Sequence, residues 1–145
     1  MTHAVNIDAN PTRWGLSPKL ACGFPLEEIF RPQTPAGGPR EFGRVLFVGE
    51  SGEFAVGLWA AGPGRIEIPF YPVDELCTLL EGEVKLTPSD GNAGVVHQPG
   101  DSFFVPRGFS GVWEMPRETR KLFAAHGSKD LMLLMMGSLK PRSFA

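Results

Sequence analysis

From Phe42 onward the chain alternates short apolar stretches with turn-forming residues, the pattern of many strands rather than of helices. Val45–Val48 is apolar throughout, and Phe54–Trp59 follows the Ser51-Gly52 turn. Ile66, Ile68 and Phe70 alternate with Glu67 and Pro69, which gives the segment one apolar face. Val84 and Leu86 alternate likewise after Gly82. Ser89-Asp90-Gly91-Asn92 predicts a hairpin turn, because Gly and Asn tolerate the positive φ such turns need. Val95-Val96, Phe103–Val105 and Val112-Trp113 read as further strands, separated by Pro99-Gly100-Asp101 and Pro106-Arg107-Gly108. Lys121–Ala125 and Leu131–Met136 complete the set. The last carries no polar alternation and is expected to be a strand covered on both faces. Eight or more short strands without a long helix predict an all-β sandwich or barrel.

The first forty residues differ. Asn10–Pro18 has two prolines and no sustained periodicity, and Arg31–Arg40 holds three prolines and two glycines. Leu26–Phe30 is expected to form one helical turn. Residues 1–41 are therefore read as an irregular N-terminal arm and residues 42–145 as the barrel. The arm is expected to pack on the barrel or on a second subunit, since Trp14, Phe24, Ile29 and Phe30 are poor candidates for permanent exposure. A mobile tail is the alternative.

Composition agrees with strands. Glycine and proline make up 32 of 145 residues, too many for a helical bundle, and 42% hydrophobic with 21% charged residues argues against disorder. Fourteen basic residues face 16 acidic ones with no basic run, so nothing points to nucleic acid. No apolar run approaches the roughly 20 residues of a membrane helix, and the N-terminus lacks the pattern of a secretory signal. Cys22 and Cys77 are read as reduced thiols in a cytoplasmic protein.

Two segments carry more. Gly64–Gly82 (GRIEIPFYPVDELCTLLEG) and Gly100–Met115 (GDSFFVPRGFSGVWEM), in this order, resemble the paired signatures of the cupin superfamily. Gly64, Glu75, Gly82, Gly100, Pro106 and Gly108 fall where that pattern places them. The phrases VDELCTLLEGEV, PGDSFFVPRGFSGVWE and TRKLFAAHG are similar to a small-cupin group that includes ureidoglycine aminohydrolases and an ethanolamine-utilisation protein. The resemblance implies a double-stranded β-helix, a jelly-roll-like barrel that is often dimeric, with a pocket lined by inward-facing strand residues.

The departures decide the chemistry. In metal-binding cupins three histidines and a glutamate hold the ion, and the matching positions here are Phe70, Pro72, Gly111 and Glu75. Only the glutamate can donate an electron pair. His3, His97 and His126 lie outside those positions and are read as solvated or structural. No metal and no other cofactor is expected.

If Glu75 points inward, strand alternation puts Cys77 and Leu79 on its face, and an inward Gly111 brings Trp113 and Met115 with it. The expected pocket is lined by Phe70, Glu75, Cys77, Trp113 and Met115, apolar walls with one ionisable group. Lys121 matches the lysine of the group's R-K-x-Y/F phrase and is the candidate counter-charge, although its side-chain direction is open. Glu75 with Lys121 could act as an acid/base pair or bind a zwitterionic ligand. Plain core packing is the alternative for Phe70, Cys77 and Trp113. Two functions follow. One is a metal-independent pocket for a small polar ligand, and the other is an aminohydrolase-like enzyme acting on an amino or ureido compound. A homodimer is the expected assembly.

Overall fold

The computed structural model describes residues 3–4, 25–31 and 38–139. Among them are eleven strands and one helix: β1 (His3–Ala4), β2 (Glu27–Ile29), β3 (Glu41–Val48), β4 (Phe54–Ala61), β5 (Gly64–Ile68), β6 (Asp74–Glu81), β7 (Val84–Pro88), β8 (Val95–His97), β9 (Ser102–Val105), β10 (Gly111–Met115), β11 (Thr119–His126) and α1 (Lys129–Met136). One sheet runs β1-β3-β4-β11-β6-β9, with β2 also on β3; the other runs β5-β10-β7-β8. Every pairing is antiparallel. The fold is an all-β, jelly-roll-like barrel.

The two sheets close on one core. Trp59, Cys77, Leu79 and Phe123 come from the first sheet, Val84, Leu86, Trp113 and Met115 from the second. The strand period of two produces this directly. On β6, Glu75, Cys77 and Leu79 are buried while Leu76 is exposed; on β10, Gly111, Trp113 and Met115 are buried. On β11 the buried set is Thr119, Lys121, Phe123 and Ala125. The outer face of the first sheet carries a second apolar cluster, Leu46 and Leu58, against which Leu26, Leu80 and Leu122 pack.

The turns follow local chemistry. Gly82, between β6 and β7, has φ 85°, and a Cβ there would lie 2.4 Å from the Glu118 carbonyl oxygen. That position admits only glycine. In the turn joining β7 to β8, the Asn92 N–H donates to Asp90 Oδ1 at 3.0 Å.

The structure corrects two expectations. Leu131–Met136 is helical, not a strand. Ser128 Oγ accepts the Leu131 N–H at 3.3 Å and Asp130 sits in the first turn, while Gly137 (φ 58°) ends the helix with its N–H on the carbonyls of Leu133 and Leu134. Six apolar residues in a row suit either element, and the cap and stop residues decide. Met132 and Met136, one turn apart, face the barrel, and Leu133 and Leu134 are exposed. Second, Glu27–Ile29 is strand β2, with Ile29 opposite Glu41 of β3, rather than a helical turn. In the single chain Phe30 is 65% exposed. Its backbone is what is held: the N–H donates to Ser138 Oγ at 2.7 Å and the carbonyl accepts from the Ser138 N–H at 3.1 Å. Trp14, Cys22 and Phe24 lie outside the described residues. Among the described residues, no helix is long and apolar enough to cross a membrane.

Candidate ligand pocket

A cavity of about 770 Å³ opens between the two sheets. Its deep end is made by Trp59 of β4, Glu75 of β6, Trp113 of β10, and Lys121 and Phe123 of β11. Lys121 stands opposite Trp59 on one side and Leu79 on the other. Its Cα is therefore two inward positions away from Glu75, and its long stem runs back past Cys77 to close the distance.

The result is a buried ion pair. Glu75 is 1% and Lys121 5% exposed, and the Lys121 ammonium donates to Glu75 Oε2. The Cys77 thiol donates to the same oxygen at 2.9 Å, and the Tyr71 hydroxyl donates to Oε1 at 2.9 Å. Lys121 Nζ also lies 3.7 Å from Cys77 Sγ. Three aromatic rings box the ammonium: its nitrogen is 4.7 Å from the Trp113 ring centre, 5.0 Å from that of Trp59 and 5.9 Å from that of Phe123. The Trp59 and Trp113 rings meet edge-to-face at 5.6 Å. Trp113 Nε1 is buried with no hydrogen-bond acceptor among the described residues.

The protonation states follow from this packing. Burial pushes the Cys77 thiol far above its ordinary range, and Glu75 adds to that, against the opposing pull of Lys121. Burial likewise raises Tyr71, again helped by Glu75. For Lys121, burial alone would lower the ammonium, but the attraction of Cys77, Glu75 and Tyr71 outweighs it and holds the group above its ordinary value. At neutral pH the carboxyl group is thus ringed by an ammonium, a thiol and a phenol, all carrying protons. Cys77 is held as a thiol, the form that is neither a strong nucleophile nor a metal ligand.

A second polar chain runs along the wall of the pocket. Trp59 Nε1 donates to Glu41 Oε1 at 2.8 Å, and Arg31 Nε donates to both Glu41 oxygens at 3.1 and 3.2 Å. The same guanidinium reaches the carbonyls of Leu134 and Met135, at the end of α1. Leu131, Leu134 and Met135 of that helix line one side of the cavity.

Of the residues singled out by sequence, Glu75, Cys77, Trp113 and Lys121 come together. Phe70 lines the same cavity at its rim, away from this cluster. It is 53% exposed on the rim, with the Arg107 guanidinium 5.4 Å over its ring. The reason is that β5 ends at Ile68 and Pro69 has no N–H with which to continue the ladder, so inward alternation stops short of Phe70. Met115 and Cys77 are buried in the core and do not themselves line the cavity, Cys77 reaching it only through Glu75 and Lys121. Four contributors escaped the sequence: Tyr71, Trp59, Glu41 and Arg31. Tyr71 had a signal, being the one tyrosine of the chain and four residues before Glu75. The others depend on strand pairing and on the arm. His97 stacks on Phe103 with ring centres 4.0 Å apart, and burial pulls its imidazole below the ordinary value.

The residues here do not fit the metal site of metal-binding cupins. Glu75 is committed to three proton donors, and the Lys121 ammonium stands beside it where a cation would be held. At Gly111 a Cβ would lie 2.2 Å from the Thr87 carbonyl oxygen and 2.6 Å from the Phe109 ring, so even a histidine would have no room there. Among the described residues no group of three or more His, Cys, Asp and Glu side chains converges.

Comparison with known proteins agrees with the barrel. Residues 48–123 match the EutQ-like cupin domain, just over half of the chain. The EutQ protein of Clostridium difficile superposes with a TM-score of 0.60 at 17% identity, covering 74% of this chain and 82% of that one. A putative ethanolamine utilization protein Q from Salmonella typhimurium gives 0.55 at 23% identity, over 68% and 77%. A protein of unknown function from Pseudomonas syringae gives 0.63 at 25% identity, over 71% of this chain but 45% of that longer one. No curated protein matches the chain by sequence. With its barrel, its paired glycine-framed segments and this match, the chain belongs to the EutQ-like cupin domain family.

Proposed function

We propose that this protein binds a small organic molecule in the barrel, with Lys121 rather than a metal ion as the cation that meets the ligand's polar group. The observation that carries the reading is the Lys121 ammonium itself, buried at the deep end of a 770 Å³ cavity, paired with Glu75 and faced by three rings. A charge taken this far from water is tolerated only with partners. Glu75 takes one of its three N–H groups and the Cys77 sulfur lies near a second, which leaves a donor for a ligand. A free Cys77 fits a cytoplasmic location.

The test is elemental analysis of untagged protein purified without chelators, together with a thermal-shift screen of amino, ureido, carboxylate and carbonyl compounds. The expected result is no stoichiometric transition metal, and a ligand-induced shift that is reduced when Lys121 and Glu75 are replaced together by Met and Gln. Near-equimolar zinc, iron, nickel or manganese that disappears in Glu75→Ala overturns the reading.

A second reading is favoured by two proton-bearing groups, Tyr71 and Lys121, meeting on one carboxyl group, the parts of an acid/base catalyst. It makes the protein an enzyme on a small amino or ureido compound, and turnover abolished by Glu75→Gln would establish it. We also propose a twofold dimer. Leu76 and Phe104, register partners on β6 and the edge strand β9, are about half exposed and form an apolar surface that a second copy would cover.

A further inference from the structure

We infer that the ligand is flat and largely apolar with one hydrogen-bond-accepting oxygen, the class of aryl ketones and aldehydes, rather than a compact amino or ureido compound. The inference rests on the pocket reading above and narrows it.

Size is the first constraint. At about 30 Å³ for each water-sized group, a ligand of six non-hydrogen atoms occupies roughly 180 Å³. That is under a quarter of the 770 Å³ available. Charge is the second. Six charged side chains line the cavity, and they form three pairs: Lys121 with Glu75, Arg31 with Glu41, and Arg65 with Glu67 at 3.6 Å. A zwitterion or a free carboxylate would enter a cavity whose charges are already matched. Each polar group of the ligand left without a partner would oppose binding.

Shape is the third. Between the deep pair and the rim, Ile66, Ile68, Pro72, Leu131, Leu134 and Met135 supply an apolar wall, interrupted by the Arg31–Glu41 pair. Such walls favour an extended apolar body, and aromatic rings supply the most contact area at the least loss of internal freedom. A polar position remains at the bottom. Lys121 has an N–H with no oxygen acceptor other than Glu75 among the described residues. A carbonyl oxygen placed there accepts from the ammonium without bringing a charge of its own.

The experiment uses the full chain and four probes: 2-acetylnaphthalene, 2-ethylnaphthalene of the same shape without the oxygen, N-carbamoylglycine and ethanolamine. Binding is measured by calorimetry and thermal shift. The ketone is expected to bind about tenfold or more tighter than the ethyl compound, the difference a hydrogen bond from a charged donor makes. It is expected to exceed both polar probes by at least as much. Lys121→Met combined with Glu75→Gln, which leaves no lone buried charge, erases the ketone's advantage but not naphthyl binding. Leu134→Asp, on the exposed helix wall, weakens both naphthyl probes. Tighter binding of N-carbamoylglycine or ethanolamine, lost in the double variant, overturns this ligand class and leaves the pocket reading standing. A ketone advantage that survives the double variant also overturns the inference, and binding of none of the four probes overturns both.

Discussion

Replacing Lys121 by Met removes one half of an ion pair whose members are 5% and 1% exposed. The length of the side chain is nearly kept, so the perturbation is the charge left behind on Glu75. Breaking a buried pair from one side costs about 3–5 kcal/mol, against about 0–1 kcal/mol for a solvated pair. With an unfolding entropy of about 2.1 cal/mol/K per residue over 145 residues, that corresponds to a fall in Tm of roughly 10–16 °C. Glu75→Gln strands the ammonium and is expected to cost a similar amount. The double variant carries no unpaired charge, and its single amide oxygen still accepts from one of Tyr71 and Cys77, so part of either loss is recovered. Urea unfolding, followed by tryptophan fluorescence and by circular dichroism, gives the four corners of the cycle; Trp59 and Trp113 stand beside the pair and report on it directly. A loss below about 1 kcal/mol in Lys121→Met would refute the reasoning, because it is the cost of a pair in contact with water. Single losses that simply add in the double variant would refute it equally.

Alkali should destabilise the fold through three groups at once. Cys77, Tyr71 and Lys121 are all raised, so above their ordinary values of 9.0, 10.0 and 10.5 the unfolded chain releases protons that the folded chain keeps. Stability is fully present below pH 9 and falls beyond it, by about 1.4 kcal/mol per pH unit for each group engaged; urea titrations flat from pH 8 to 11 would contradict this. In a Cys22→Ser background Cys77 is the single thiol, and its alkylation at pH 8 is expected to be at least about tenfold slower in the native than in the unfolded protein; equal rates would mean that the thiol is not enclosed. Gly111→Ala forces a Cβ to within 2.2 Å of the Thr87 carbonyl and is expected to cost about 1–3 kcal/mol in chemical denaturation, whereas unchanged stability would show the strand free to shift.

How far the sequence reaches can be judged residue by residue. Once the cupin resemblance sets Glu75 inward, alternation brings Cys77 and Leu79 with it, because β6 is long and regular and a period of two leaves no freedom. The direction of the Lys121 side chain lay beyond reach for a concrete reason. Its pairing with β6 shifts register between Arg120 and Lys121, so its level relative to Glu75 depends on an irregularity that leaves no trace in composition. Trp59 became a wall of the pocket by standing opposite Lys121, a fact of strand order rather than of spacing. The helix was hidden by its own apolarity, six residues that fit a strand as well, while the informative residues were the flanking Ser128 and Gly137. Phe70 was carried inward by extending a pattern past Pro69, where the backbone can no longer sustain it.

The pairing of the cavity's charges also bears on speed. Three cations and three anions, each within a few ångströms of its partner, cancel beyond the distance at which salt begins to screen them. An arriving molecule therefore feels no long-range pull toward the opening, and nothing steers one sign of ligand over the other. Association is left to diffusion and orientational fit, with a rate constant that changes little between low and high ionic strength, and differences among ligands fall on how slowly each one leaves.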